Sequence, residues 1–322
     1  MSDPRVVSLL PSATELVCAL GCEELLVGVS HECDFPPAVT RLPVLTASRA
    51  SFPTASDAID RDVRAALADA LALYTIDEAA LERLAPDVIV TQDLCEVCAV
   101  SFADVEAAAR RVVSPDVSLV SLRPLRLADV WDDLRRLATA LGVSDRAEAV
   151  LAGWDGRLDR LRDALADVPH RPTVLTLEWL APPMVGGTWM PELVELAGGR
   201  PLVTAPGDHA PTLQPEQLAA LDPAPEAVLV KPCGFDLQRG LSELDLIAEL
   251  LAPLPWPAVR DGAVFLADGS AYFNRSGPRL VDSAELLAAC LHPEQLPDLV
   301  ARYGDAVRRL DLGARRALSL GA

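Results

Sequence analysis

Hydrophobic and polar residues alternate along the first half of the chain in a way that predicts strands followed by helices. Short apolar runs with the length of buried strands occur at residues 6–10, 25–30, 88–91 and 117–122. Segments with apolar residues at helical spacing lie between them, at residues 57–73, 78–84 and 102–112. Because strands that alternate with helices form parallel sheets with right-handed crossovers, this half predicts an α/β lobe.

The helix that follows the first strand has recognisable end signals. Ser12 and Glu15 have capping-box spacing after Pro11, and Gly21 lies where the helix should stop. We therefore expect a short helix that begins near Pro11 and ends before Gly21.

Two long helical patterns cover residues 126–141 and 144–167, and the second is charged and amphipathic. The alternation then resumes. Strands are predicted at 173–177, 227–231 and 263–266. Helices are predicted at 191–197, 214–221, 242–251 and 278–291, with a further helix over 293–312 packed on the outside.

The pattern predicts an α/β fold of two Rossmann-like lobes with parallel sheets, joined by a long rigid helix. If the two lobes face each other, a ligand cleft lies between them. A long helix between two α/β halves acts as a stiff strut. The expected parts are an N-terminal lobe (1–143), a connecting helix (144–168), a C-terminal lobe (169–292) and a C-terminal helical extension (293–322).

Composition narrows the class of partner. The chain has 322 residues, 51% of them hydrophobic, and a net charge of −19, so clustered basic contacts to nucleic acid are not expected. Lys231 is the only lysine. No apolar stretch has the length of a membrane span, and residues 1–5 lead directly into a strand without a signal-peptide pattern. From this we expect no membrane insertion and a cytoplasmic location.

A ligand site is expected where the strands end, because open parallel sheets bind ligands beyond their carboxyl edges. The loops at these ends are residues 11–14, 31–35 and 92–98 in the first half, and 178–179, 233–235 and 268–275 in the second.

Four soft ligands lie on the loops of the first half. Cys95 and Cys98 form a C-x-x-C pair, and His31 and Cys33 follow a neighbouring strand. Together they would give a Cys₃His set, with Zn–S distances of about 2.3 Å, for a soft transition metal such as Zn, Fe or Co. The C-x-x-C pair is also typical of thiol redox chemistry, and all three cysteines are equally compatible with buried packing.

The remaining candidates are polar and aromatic. Ser12 and Thr14 at a helix start are typical of an anion cradle and equally of simple helix capping. Glu32 and Glu178 are candidate acids or bases. The aromatic residues could stack on a flat ligand. The ligand-binding candidates are Ser12, Thr14, Glu178, Trp179, Trp189, Tyr272, Phe273 and Arg275. No phosphate-binding or dinucleotide glycine motif is present, so we expect no nucleotide cofactor.

Several segments, in order and spacing, resemble the vitamin B12 and iron-siderophore substrate-binding proteins. They are RVVSLLPSATE at 5–15, GVS at 28–30, DFPP at 34–37, LAPDVIV at 84–90, GGTW at 186–189, ELAGG at 195–199 and SGPRL at 276–280. Within that family the chain is similar to a cytosolic cobalamin-binding subgroup, through HECD at 31–34, LCEVCAV at 94–100 and AYFNR at 271–275.

The resemblance implies a binding protein for a corrinoid such as cobalamin, or for another metal or metal chelate, held between two lobes. A metalloenzyme on the same scaffold, with a metal on the Cys/His set, is the alternative. Because an export signal is not evident, the resemblance leaves an ABC transporter partner in doubt.

Overall fold

The computed structural model describes residues 3–48, 74–92, 102–113 and 116–321. The described chain forms two compact units, the first ending at Gly153 and the second beginning at Trp154. The helix predicted over 57–73 and the pair Cys95 and Cys98 lie outside the described residues.

The first unit contains a four-stranded parallel sheet, which confirms the predicted alternation. The strands of the unit are β1 (Val6–Ser8), β2 (Leu26–Val29), β3 (Thr46–Ser48), β4 (Tyr74–Ile76), β5 (Val88–Gln92) and β6 (Ser118–Leu122). The main sheet has the order β2-β1-β5-β6, and β3 and β4 form a separate antiparallel pair. Its helices are α1 (Pro11–Ala19), α2 (Glu78–Leu84), α3 (Phe102–Val112) and α4 (Leu127–Ala140).

Helix α1 starts differently from the capping-box prediction. Leu10 is the N-cap residue, and Pro11 occupies the first turn without a side-chain cap. Proline suits this position because its fixed φ is helical and its missing N–H would have no intrahelical partner. Ser12 and Glu15 are instead buried within the helix. Gly21 has a φ of +63° just beyond the helix, as its stop role requires.

The long helix α5 (Ser144–Ala164) confirms the second long helical pattern. Its buried residues are Ala147, Leu151, Trp154, Leu158 and Leu161, spaced three or four apart along one stripe. The boundary between the two units falls inside this helix, at residues 153 and 154.

The second unit contains a seven-stranded mixed sheet with the order β13-β12-β11-β10-β7-β8, with β9 also paired to β7. The strands are β7 (Thr173–Leu180), β8 (Pro183–Val185), β9 (Arg200–Pro201), β10 (Ala227–Val230), β11 (Val264–Ala267), β12 (Val307–Asp311) and β13 (Arg316–Leu318). The strands β9, β7, β10 and β11 are parallel, as expected, whereas β8, β12 and β13 pair in antiparallel fashion.

Helices cover the sheet of the second unit close to the predicted positions. They are α6 (Met190–Leu196), α7 (Pro215–Ala219), α8 (Leu237–Ser242), α9 (Leu244–Leu251), α10 (Pro257–Arg260), α11 (Leu280–Leu291) and α12 (Pro297–Tyr303). Among the described helices of both units, none is long and apolar enough to span a membrane.

The prediction of one outer helix over residues 293–312 is wrong. Helix α12 ends at Tyr303, and the chain then forms the hairpin β12–β13. Val307 and Leu310 are almost completely buried, because β12 adds an antiparallel strand to β11. The tail is therefore part of the core of the second unit and not an extension packed outside it.

Candidate functional site

A buried ion pair lies at the carboxyl ends of β7 and β10. Lys231 follows β10 and its side chain is 1% exposed, while Glu178 near the end of β7 is 18% exposed. The Nζ of Lys231 donates to Glu178 Oε2 at 2.9 Å and to Asn274 Oδ1 at 2.6 Å. Since an unpaired buried ammonium is very costly, these acceptors are what permit the chain's only lysine to lie in the interior.

Backbone pairing fixes the positions of Glu178 and Lys231. The amide of Lys231 donates to the Leu177 carbonyl at 2.8 Å, and the amide of Cys233 donates to the Glu178 carbonyl at 3.0 Å. The pairing of β7 with β8 shifts register between Leu177 and Trp179. An irregularity of this kind re-aims side chains at a strand end.

Asn274 joins this pair to the turn after β11. Its Nδ2 donates to the carbonyls of Lys231 at 3.0 Å and Gly269 at 2.9 Å. The turn is also bonded to the loop after β10, since the Ser270 amide donates to the Phe235 carbonyl at 2.9 Å. The three polar side chains of Glu178, Lys231 and Asn274 therefore form one connected group, which we call the lysine triad.

Gly269 is needed where the turn meets β10. A Cβ at this position would lie 2.3 Å from the Pro232 carbonyl oxygen, which is a backbone atom with little freedom to move. Replacing Gly269 with alanine should therefore lower the free energy of unfolding by about 2 kcal/mol, as expected for overpacking. Urea denaturation followed by circular dichroism measures the change.

Gly153→Ala is the matched control, because a Cβ there would meet nothing within 4 Å and the residue lies in α5. It should be neutral or slightly stabilising. Equal stability of the two variants would contradict the close approach of the turn to β10.

Aromatic and basic side chains border the lysine triad. The rings of Trp179 and Phe235 meet edge to face with centroids 5.5 Å apart, and the Arg239 guanidinium lies 4.0 Å from the Phe235 centroid. Trp179 is half-buried, and its Nε1 has no hydrogen-bond partner in the described structure. The strand-end surface next to the triad is therefore both aromatic and polar.

Tyr272 lies on the turn that carries Asn274. Its half-buried ring meets Tyr303 edge to face at 6.2 Å, and the Arg279 guanidinium lies 5.9 Å from its centroid. Burial is the main reason that the pKa of Tyr272 is raised above its usual value. Arg275, on the same turn, donates from Nη2 to Ser270 Oγ at 3.3 Å.

Two predicted ligand-binding residues have packing roles. Trp189 and Phe273 are buried, and Trp189 Nε1 donates to the Phe273 carbonyl at 2.7 Å. The Phe273 amide donates to Ser283 Oγ at 2.9 Å, which fixes this residue at a φ of +67°. These contacts favour the support of the turn over direct contact with a ligand.

In the first unit, the predicted anion cradle is turned inward. Thr14 is fully buried and Ser12 nearly so. Thr14 Oγ1 donates to Ser8 Oγ at 2.8 Å and lies 3.1 Å from Cys33 Sγ. The Thr14 hydroxyl is thus used within the unit, so burial does not favour an exposed anion site on α1.

The predicted Cys/His metal set remains a prediction, because Cys95 and Cys98 lie outside the described residues. His31 Nδ1 lies 2.7 Å from Thr46 Oγ1, whereas Cys33 contacts Thr14. Within the described residues, no group of three or more His, Cys, Asp or Glu side chains could hold a metal ion. Glu32 is exposed, and its amide donates to Ser30 Oγ at 3.1 Å.

The roles of Lys231 and Asn274 were missed by the sequence analysis. In the sequence, Lys231 is distinguished only as the single lysine, and Asn274 only as a member of the strand-end loop 268–275 and of the AYFNR segment. A unique lysine directly after an apolar strand was the available signal, because an ammonium there must find a carboxylate partner.

Solved structures share this fold over most of the chain. A periplasmic heme-binding protein from Pseudomonas aeruginosa is 26% identical with a TM-score of 0.67, over 91% of this chain and 94% of that one. The periplasmic vitamin B12-binding protein of Vibrio cholerae is 19% identical with a TM-score of 0.62, over 91% and 98%. An ABC transporter substrate-binding protein from Listeria monocytogenes is 15% identical with a TM-score of 0.66, over 91% and 100%.

These comparisons confirm the α/β fold class and correct two other expectations. A search among curated protein sequences found no match. A family model described as "periplasmic binding protein" matches residues 6–271. The predicted cytoplasmic location is wrong, because that family and the heme- and B12-binding neighbours are periplasmic. The doubt about an ABC transporter partner finds no support in these comparisons either. With most of its length matched, the chain belongs to the periplasmic binding protein family.

Proposed function

We propose that this chain is a substrate-binding protein for a planar metal chelate, a corrinoid such as cobalamin or a related tetrapyrrole such as heme. The ligand rests on the strand-end surface of the second unit. The observation that carries the proposal is the lysine triad, with the half-buried aromatic residues Trp179 and Tyr272 on the segments that supply Glu178 and Asn274.

A flat macrocycle fits the chemistry of this surface. Aromatic side chains bury large apolar area against a planar ligand, and a few fixed polar groups set its orientation. Trp179 is held by Phe235, and Tyr272 by Tyr303. Both rings therefore have limited freedom to lose when a ligand binds, which favours affinity.

The comparisons support the same ligand class. One similar structure binds heme and another binds vitamin B12, and both ligands are planar chelates of a transition metal. On this proposal the metal arrives as part of the ligand. The alternative of a metalloenzyme with its own Cys/His-bound metal draws no support from the described contacts, in which Thr46 holds His31 and Thr14 contacts Cys33.

Titration of the purified protein with aquocobalamin and with hemin tests the proposal. We expect at least one of them to bind at one per chain, seen as quenching of tryptophan fluorescence and as heat in calorimetry. Trp179→Ala and Tyr272→Ala should each weaken binding about fivefold, because each removes an aromatic contact worth about 1 kcal/mol.

Trp256→Phe is the control. Trp256 lies just before α10. The Ala258 amide of α10 donates to the Pro225 carbonyl, which precedes β10, so Trp256 lies near the amino-terminal ends of the strands and away from the proposed site. This variant should bind like the wild type. Failure of both chelates to bind a protein with a normal circular dichroism spectrum would overturn the proposed function.

A further inference from the structure

We infer that the ligand presents neutral hydrogen-bond donors, such as carboxamide groups, to the lysine triad, and that Glu178 selects against peripheral carboxylates. This inference rests on the proposed function and narrows its ligand class. It is based on the hydrogen bonds that Glu178, Lys231 and Asn274 already make within the protein.

The ammonium of Lys231 is not offered to a ligand. The side chain is 1% exposed, and its Nζ already donates to Glu178 Oε2 and Asn274 Oδ1 at 2.9 and 2.6 Å. A ligand carboxylate could reach this cation only by displacing the Glu178 carboxylate. The buried charge therefore compensates Glu178 and does not attract anions.

Hydrogen bonds fix the side-chain amide of Asn274 so that its oxygen faces the Lys231 ammonium. Both hydrogens of its amide group are taken, one by the Lys231 carbonyl at 3.0 Å and one by the Gly269 carbonyl at 2.9 Å. A flip of this amide would lose both bonds and turn N–H groups towards an ammonium. Asn274 therefore offers no donor to an anionic ligand.

Glu178 is the charged member of the triad with an exposed surface, whereas the partly exposed Asn274 has both amide hydrogens bonded to carbonyls. Its side chain is 18% exposed, and its hydrogen bond to Lys231 uses Oε2 only. A carboxylate is an acceptor without a donor, so it binds amide N–H groups and repels a second carboxylate. The exposed face of the triad therefore favours a chelate with carboxamides at its periphery.

The arginines that border the triad are the groups that would favour an anionic ligand instead. Each has a neighbour in the structure. Arg239 stacks on Phe235, Arg279 lies over Tyr272, and Arg275 bonds Ser270. These contacts hold Arg239 and Arg279 against aromatic rings and Arg275 against Ser270, whereas Glu178 belongs to the triad itself.

The test uses one corrinoid in two forms, with its peripheral groups either as carboxamides or hydrolysed to carboxylates. Macrocycle and metal are then identical. Calorimetry on the wild type should give at least tenfold tighter binding of the carboxamide form. The double variant Glu178→Gln/Lys231→Met removes both charges together and should reduce this preference at least fivefold. Its circular dichroism spectrum and thermal midpoint show whether it is folded.

The outcomes separate the two proposals. Equal or tighter binding of the carboxylate form to the wild type overturns the inference and leaves the proposed function intact. An unchanged preference in the folded double variant also overturns it, because Glu178 would then not set the selectivity. Binding of neither form, nor of hemin, counts against the proposed function itself. Should the double variant not fold, the wild-type comparison alone decides the inference.

Discussion

Replacing Lys231 with methionine should lower the free energy of unfolding of the protein by about 3 kcal/mol. The substitution keeps the apolar stem and removes the charge, so Glu178 loses its counter-ion and Asn274 Oδ1 loses its donor. Breaking one side of a buried pair costs about 3–5 kcal/mol, and the 18% exposure of Glu178 places the loss at the lower end. Urea denaturation followed by tryptophan fluorescence and circular dichroism measures it.

Two control variants show whether the loss of stability comes from leaving Glu178 without a counter-ion. Glu178→Gln/Lys231→Met leaves no uncompensated charge, so it should cost less than the single Lys231 substitution, by about 2 kcal/mol. Arg260→Met removes a cation from an exposed pair with Asp261 and should leave the free energy of unfolding nearly unchanged. If Lys231→Met were as stable as Arg260→Met, the buried pair would have no structural importance.

Local pattern was sufficient for the parallel core of both units. The apolar runs that became β1, β5, β10 and β11 are short, and helices follow them along the chain. Their pairing then follows from general rules of chain crossover and needs no detail of the loops. The long helix α5 was equally predictable, because its apolar stripe is continuous over several turns.

The C-terminal hairpin could not be predicted in the same way. Its strand β12 is arginine-rich and carries buried residues at Val307 and Leu310, a spacing that fits a helix as well as an irregular strand. What decides the outcome is the unfilled edge of β11, to which β12 pairs. That edge exists only in the folded second unit and leaves no local signal.

The candidate site likewise contains residues that local sequence predicts and contacts that it does not. Sequence reasoning named Glu178, since strand-end residues are recognisable locally. The bonds from Lys231 to Glu178 and Asn274 join residues 53 and 43 positions apart, so they depend on the order of strands in the sheet. Thr14 and Cys33 show the opposite case. Their positions at strand ends were foreseen, but their contact with each other uses them inside the first unit.

A second, partly buried ionic network connects α5 with α11 and α12. Arg157 donates from Nε and Nη2 to the two carboxylate oxygens of Glu285 at 3.0 and 2.7 Å, and from Nη2 to Asp282 at 2.7 Å. Tyr303 on α12 contacts both carboxylates, at 2.8 and 2.7 Å. Since Tyr303 also packs against Tyr272, this network supports the turn of the candidate site.

Replacing Arg157 with methionine should therefore lower the free energy of unfolding by about 3 kcal/mol at pH 7, because two partly buried carboxylates lose their shared cation. Arg162→Met, in the same helix, removes a cation from an exposed pair with Asp159 and should cost less than about 0.5 kcal/mol. Urea denaturation of both variants measures the difference, and equal losses would contradict the network.

The pH dependence of stability distinguishes the loss of charge at Arg157 from a simple packing defect. Burial alone would raise the pKa of Glu285, but hydrogen bonds from Arg157 and Tyr303 outweigh it and hold the pKa below its usual range. A carboxyl of this kind stabilises the fold above its unfolded pKa of about 4.3 and ceases to do so as the pH falls through its folded pKa. The stability gap between the wild type and Arg157→Met should thus be full at neutral pH and shrink below about pH 4. A gap that stays constant over this range would mean that Arg157 acts through its aliphatic stem and not through its charge.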